Sequence, residues 1–282
     1  MRECRRLGVI AAVSFSLAAA TALADEKTPE GPARLQLSFI GPVQLVPESR
    51  NVSGLRLGLF FGKNAEVSGL DIAAGGTYSG SFSGLQVSGF LNWVDVDATG
   101  VQLALLGNSA KGEMTGLQVG FMINGATRLS GVQIGGIFAN IAREGGAGLQ
   151  VGVSNFNGGK FTGVQVGLIG NAFRSEWATL SVTGVQIGAI NGVGGDLTGI
   201  QVGAWNAAGL KQGSLTGVQL GAINLGSFTG LQVGALNVAG DCKGLQIGVL
   251  NLCGDMRGVQ IGLINFIREG AVKWLPIVNA KF

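Results

Sequence analysis

Histidine is absent from the 282 residues, and tyrosine occurs once. Without histidine a Ser-His-Asp arrangement and a His-liganded metal site are excluded, which removes the commonest hydrolytic and metal chemistries. Charge is scarce as well, at 12% of the chain, and no basic patch points to nucleic acid. Only three cysteines are present, and Cys4 lies in the basic opening segment. Cys242 and Cys253 alone are too few for a disulfide-stapled scaffold. They flank one stretch of strand and would lie roughly 35 Å apart if it were extended, so the sequence predicts that they do not pair.

The opening segment has Arg2, Arg5 and Arg6, an apolar run from Leu7 to Ala20, and then Ala22-Leu23-Ala24 before Asp25. That order is the pattern of a secretory signal peptide over residues 1–24, with a mature chain from Asp25 and a flexible stretch to residue 33. The apolar run is shorter than the roughly 20 residues that span a bilayer as a helix. The formal charge of +3 owes part of its excess to the leader, so the mature chain is close to neutral.

What the chain has in quantity is glycine, 51 residues of it, arranged in the phrase Gly-[Leu/Val]-Gln-[Val/Ile]-Gly-x-x-Asn. The central glutamine recurs as Gln86, Gln102, Gln118, Gln133, Gln150, Gln165, Gln186, Gln201, Gln219, Gln232, Gln246 and Gln260. Arg56 and Asp71 hold the same slot in two earlier units. A unit this short, rich in Val, Ile, Leu and Gly, is a strand and a turn rather than a helical hairpin. Residues 34–282 therefore form one repeat β domain.

Separators such as Gly158-Gly159, Gly194-Gly195, Gly226-Ser227, Gly240-Asp241 and Gly254-Asp255 favour tight hairpins. With hairpins there, the expected fold is all-β: an antiparallel meander of about 14–16 short strands, closed as a β-barrel. Gln219 would face Gly234 across the sheet, and one face would be a Gln/Gly checkerboard. The opposite face would carry Val218, Leu220, Leu231 and Val233. Charges avoid the strand cores, as an outer-membrane barrel requires. The alternative is a parallel β-solenoid in which Gln lies on Gln and Asn on Asn. One observation separates the two: antiparallel neighbours pair Gln with Gly, stacked neighbours pair Gln with Gln.

The terminal segment from Val272 to Phe282 reads as a further strand, with Phe282 as an outer-membrane insertion signal of Gram-negative type. Leu35–Ile40 and Val43–Val46 read as strands before the array, and the stretches from Asp71 to Ser83 and from Ala172 to Val182 as loops of their own. Trp93, Trp177, Trp205 and Trp274 are candidates for a membrane interface. The Gln rows are either the lining of a narrow pore or a structural hydrogen-bond ladder. The Asn that ends each phrase is expected to serve turns.

Ordered together, Pro42-Val43-Gln44-Leu45-Val46-Pro47-Glu48, Gly54-Leu55-Arg56-Leu57, Val67-Ser68-Gly69-Leu70-Asp71, the serial repeats, and Leu275-Pro276-Ile277-Val278-Asn279-Ala280-Lys281-Phe282 resemble the bacterial surface-repeat proteins. That resemblance implies an exported, envelope-associated protein and carries over no catalytic residues. Asp95 and Asp97 form the best carboxylate pair, either a weak calcium site or a solvated tip. No phosphate-binding loop, cofactor motif or metal-ligand set is legible, and no enzyme is expected. The expected role is structural or interactive at an outer membrane or cell surface, or, if the alternative fold holds, that of a secreted or periplasmic scaffold or adhesin.

Overall fold

In a computed structural model, which describes residues 31–135, 137–172, 181–209 and 213–282, the chain is all-β. The expected leader 1–24, residues 25–30 and most of the Ala172 to Val182 stretch lie outside the described residues.

The strands join in one sheet in which nearly every pairing is parallel. The expected antiparallel meander and barrel are thereby overturned: the chain winds as a β-solenoid of about 13 turns. In the coil that begins at Leu197, a first strand Leu197–Val202 ends at a corner over residues 203–204, and a second strand Trp205–Ala208 returns. The next coil repeats this with Leu215–Leu220 and Ile223–Leu225. Gln186 lies over Gln201, Gln201 over Gln219 and Gln219 over Gln232. Asn191, Asn206, Asn224 and Asn237 stack likewise. Gln-to-Gln pairing is the result that selects the stacked alternative.

The separators read as hairpins are instead the second corner of each coil. Leu225 pairs with Ala207 and Val238, not with Phe228. The stretch from Asp71 to Ser83, expected as a loop, supplies regular rungs within Phe61–Ala73 and Gly76–Ser88.

Alternation within the first strand fixes what faces inward. Leu197 and Gln201 are fully buried, while Thr198 and Val202 face out. The glycine two residues before each Gln sits between the buried positions at positive φ. At Gly217, with φ 140°, a Cβ would stand 1.9 Å from the carbonyl oxygen of Gly199 in the coil below. Only glycine lets coils approach to strand spacing there.

Two irregular pieces close the ends, as a stack of open rungs requires. At the N-terminal end, Ala33–Ile40 pairs in parallel with Val52–Gly58. The chain between them doubles back, so that Gln36 exchanges two hydrogen bonds with the backbone of Val46. At the C-terminal end, Trp274–Lys281 lies antiparallel on the last coil, Gln260 opposite Asn279.

Candidate functional site

Three columns of side chains fill the coil, and they differ in kind. Along the first strand, Val52, Val67, Phe82, Met114, Leu129, Phe161, Leu197, Phe228 and their equivalents form an apolar column against small residues of the second strand such as Ala110, Ala126 and Ala208. Nearer the corner run two polar columns, one of Gln and one of Asn, every member buried.

The two polar columns have opposite polarity. Each Gln donates its Nε2 to the Oε1 of the Gln one coil earlier, as from Gln102 to Gln86 at 2.7 Å and from Gln201 to Gln186 at 2.8 Å. The direction is imposed at the N-terminal end, where Gln86 Nε2 reaches Asp71 Oδ2 at 2.9 Å. An ionised carboxylate accepts only, so every amide above must point its donor downward. Each Asn instead donates Nδ2 to the Oδ1 of the next coil, as from Asn108 to Asn124 at 2.8 Å, and also to a corner carbonyl such as Val119 O at 2.8 Å. Backbone carbonyls fix this second direction. Aligned amide dipoles within each column reinforce one another, and the two columns oppose each other across the coil.

Arg56 closes the Gln column. Its guanidinium meets Asp71 in a bidentate pair, Nε to Oδ1 at 2.7 Å and Nη2 to Oδ2 at 2.6 Å, and donates to Tyr78 O at 2.9 Å. Both side chains are 1% exposed. At the other end Gln260 Oε1 is buried with no hydrogen-bond partner, the acceptor left over by the ladder's polarity. The interior is filled by side chains, so the Gln rows do not line a pore.

Cys242 and Cys253 are joined by a disulfide, with Cα atoms 6.4 Å apart. The expectation that they stay apart fails because the intervening strand turns the corner and returns. The bond ties one strand of a coil to the other across the apolar column.

Charges gather at the second corner. Asp95 accepts from Lys111 Nζ at 2.6 Å and from Trp93 Nε1 at 3.0 Å, and Asp97 accepts from the Glu113 amide at 2.7 Å. Among the described residues no group of His, Cys, Asp and Glu is arranged to hold a metal ion. Lys281 pairs with Asp255, and this ammonium holds the Asp255 carboxyl below the usual aspartate value. The pair fastens the terminal strand to the coil beneath it. Phe282 follows that strand and is 95% exposed.

The outer surface near the first corner is apolar. Leu and Val or Ile flanking each Gln face out from the first strand, and the corner carries Phe90, Leu105, Phe121, Phe138, Ile169 and Trp205. Trp93 and Trp274 are also exposed, and Trp177 lies outside the described residues.

Sequence reasoning placed the Gln residues on a face of their own but assigned Asn to turns. The signal for the Asn column was present: Asn follows Gln by 5 to 7 residues in every unit, while the distance from Asn to the next unit varies. Arg56 and Asp71 in one slot, 15 residues apart and opposite in charge, likewise announced a stacked pair. No family model, curated protein or solved structure matches the chain.

Proposed function

We propose that the protein is an exported β-solenoid scaffold or adhesin whose working part is its outer surface. The observation that carries this reading is the uninterrupted pair of amide columns, which commits the interior wholly to structure. Outside, the side chains displayed at the two corners differ from coil to coil. The leader pattern and the resemblance to bacterial surface-repeat proteins support export. An extended repeat face is also the usual way such stacks meet partners.

A membrane-impermeant amine label applied to intact cells tests it. Lys63, Lys111 and Lys160 should react, on a chain that mass spectrometry finds beginning near Asp25. An unlabelled chain that keeps its leader inside the cell would overturn the reading.

A further inference from the structure

The first corner forms a ridge along the solenoid. Rung by rung it stacks Phe90, Leu106, Met122 and Phe138, with Leu105, Phe121 and Ile137 beside them, and later Ile190, Trp205, Ile223 and Leu236. Exposure reaches 52% at Phe90, 63% at Leu105, 55% at Phe121 and 69% at Leu263. About 13 turns at roughly 4.8 Å each make the ridge about 60 Å long. With a width on the order of 12 Å it exceeds the largest apolar patch of about 300–600 Å² found on a typical monomer. Among the described residues from Gly84 to Asn265, every charged side chain lies at or beside the opposite corner.

A turn is ordinarily a wet place, because its backbone groups need partners. Here they have them. Leu106 N donates to Phe90 O at 2.9 Å, Met122 N to Leu106 O at 2.8 Å and Phe138 N to Met122 O at 3.0 Å. In the C-terminal coils Ile223 N donates to Ala204 O and Leu236 N to Ala222 O, each at 2.9 Å. The Asn column adds a donor to a corner carbonyl, as from Asn191 to Val202 O at 2.9 Å. The ridge is thus a turn whose backbone is hydrogen-bonded from coil to coil, which is the condition for entering hydrocarbon.

We propose that this ridge docks the solenoid lengthwise on a phospholipid layer, its apolar side chains sunk among the acyl chains and its charged corner in water. The proposal rests on the reading of the outer surface as the working part and names its partner. Lengthwise docking follows from size, since the ridge is about twice the roughly 30 Å thickness of a hydrocarbon core. Lipid is favoured over a second copy by shape. Two convex ridges meet along a line and bury less than the about 800 Å² per partner that a stable dimer needs, whereas a fluid layer conforms to a ridge. Charges of both signs at the far corner make no demand for anionic lipid.

Flotation of the full chain, as recovered from cells, with vesicles of pure phosphatidylcholine tests this. The chain should float equally at low and high salt. The triple substitution Phe90→Ser, Phe121→Ser, Phe138→Ser should lower partitioning roughly tenfold or more, since each removes an exposed ring from the contact. The pair Arg143→Ser, Lys160→Ser should change nothing. Brominated acyl chains should quench tryptophan emission, and less so in Trp205→Phe. All substituted side chains are exposed or at the charged corner, and circular dichroism with an intact Cys242–Cys253 bond checks that each variant is folded. A folded chain that stays out of the vesicle fraction overturns the proposal, as does a salt-stable dimer abolished by the triple substitution. Either failure leaves the surface-label result on export untouched.

Discussion

The apolar column and the Gln column run side by side through the same coils, yet one varies freely and the other does not. From Val52 to Met256 the apolar column accepts Val, Phe, Ala, Met, Leu, Cys and, at Gly146, no side chain at all. From Gln86 to Gln260 the polar column holds Gln at every rung. Dispersion and hydrophobic burial are non-directional, so a large residue and a small one can share a coil, as Met114 and Ala126 do. An amide partnered by the amide above and below must repeat its own length and direction. A buried hydrogen-bond chain therefore conserves identity within a single molecule, where an apolar core conserves only volume.

The strongest test of that contrast removes the carboxylate that orients the polar column. Asp71→Ala leaves the buried Arg56 guanidinium without its counter-ion and Gln86 without its acceptor, and should cost about 3–5 kcal/mol in urea unfolding. Next comes a substitution in each column. Gln186→Met keeps approximate size but leaves Gln165 Oε1 unpartnered and Gln201 Nε2 with only its longer bond to Ala207 O at 3.3 Å, with an expected loss of about 2–4 kcal/mol. Met114→Leu should cost less than about 1.5 kcal/mol. Equal losses at the two sites would break the distinction between directional and volumetric packing.

Cys253→Ser should lower stability by about 2–3 kcal/mol relative to the oxidised protein, and reductant should bring the wild type close to the variant. The smallest effect lies at the C-terminal cap. Because the Asp255 pKa is lowered by Lys281, the pair's contribution is present above the ordinary aspartate value of 3.8 and is lost as pH falls through the lower, folded value. Amide exchange at Val278 and Ala280 should then quicken in acid while that at Gln201 and Gln219 does not. Uniform protection along the chain would show that the pair does not fasten the cap.

Much of the strand content was legible. The division of each strand into a Gln row and an opposite Leu/Val row follows from alternation, and the structure buries the first and turns Val218, Leu220, Leu231 and Val233 outward. Direction was not legible. Gly226-Ser227 is an acceptable two-residue hairpin, and a 13–18-residue period suits either a hairpin or one turn of a coil. The Cys242–Cys253 distance was misjudged for the same reason. Eleven residues are long only if extended, and a corner inside them brings their ends together.

By itself the sequence determined a single β unit used serially, the two rows of side chains on its opposite faces, and the exclusion of charge from its centre, because these depend on side-chain alternation and local propensity. Only the tertiary structure decided that Gln stands on Gln, that two amide columns run in opposite senses, and that the Gln row rather than the Leu/Val row is the buried one. Those are choices of neighbour between residues 13 to 21 positions apart. Their free energy comes from ladders that exist only once coils are stacked, so no single unit contains them.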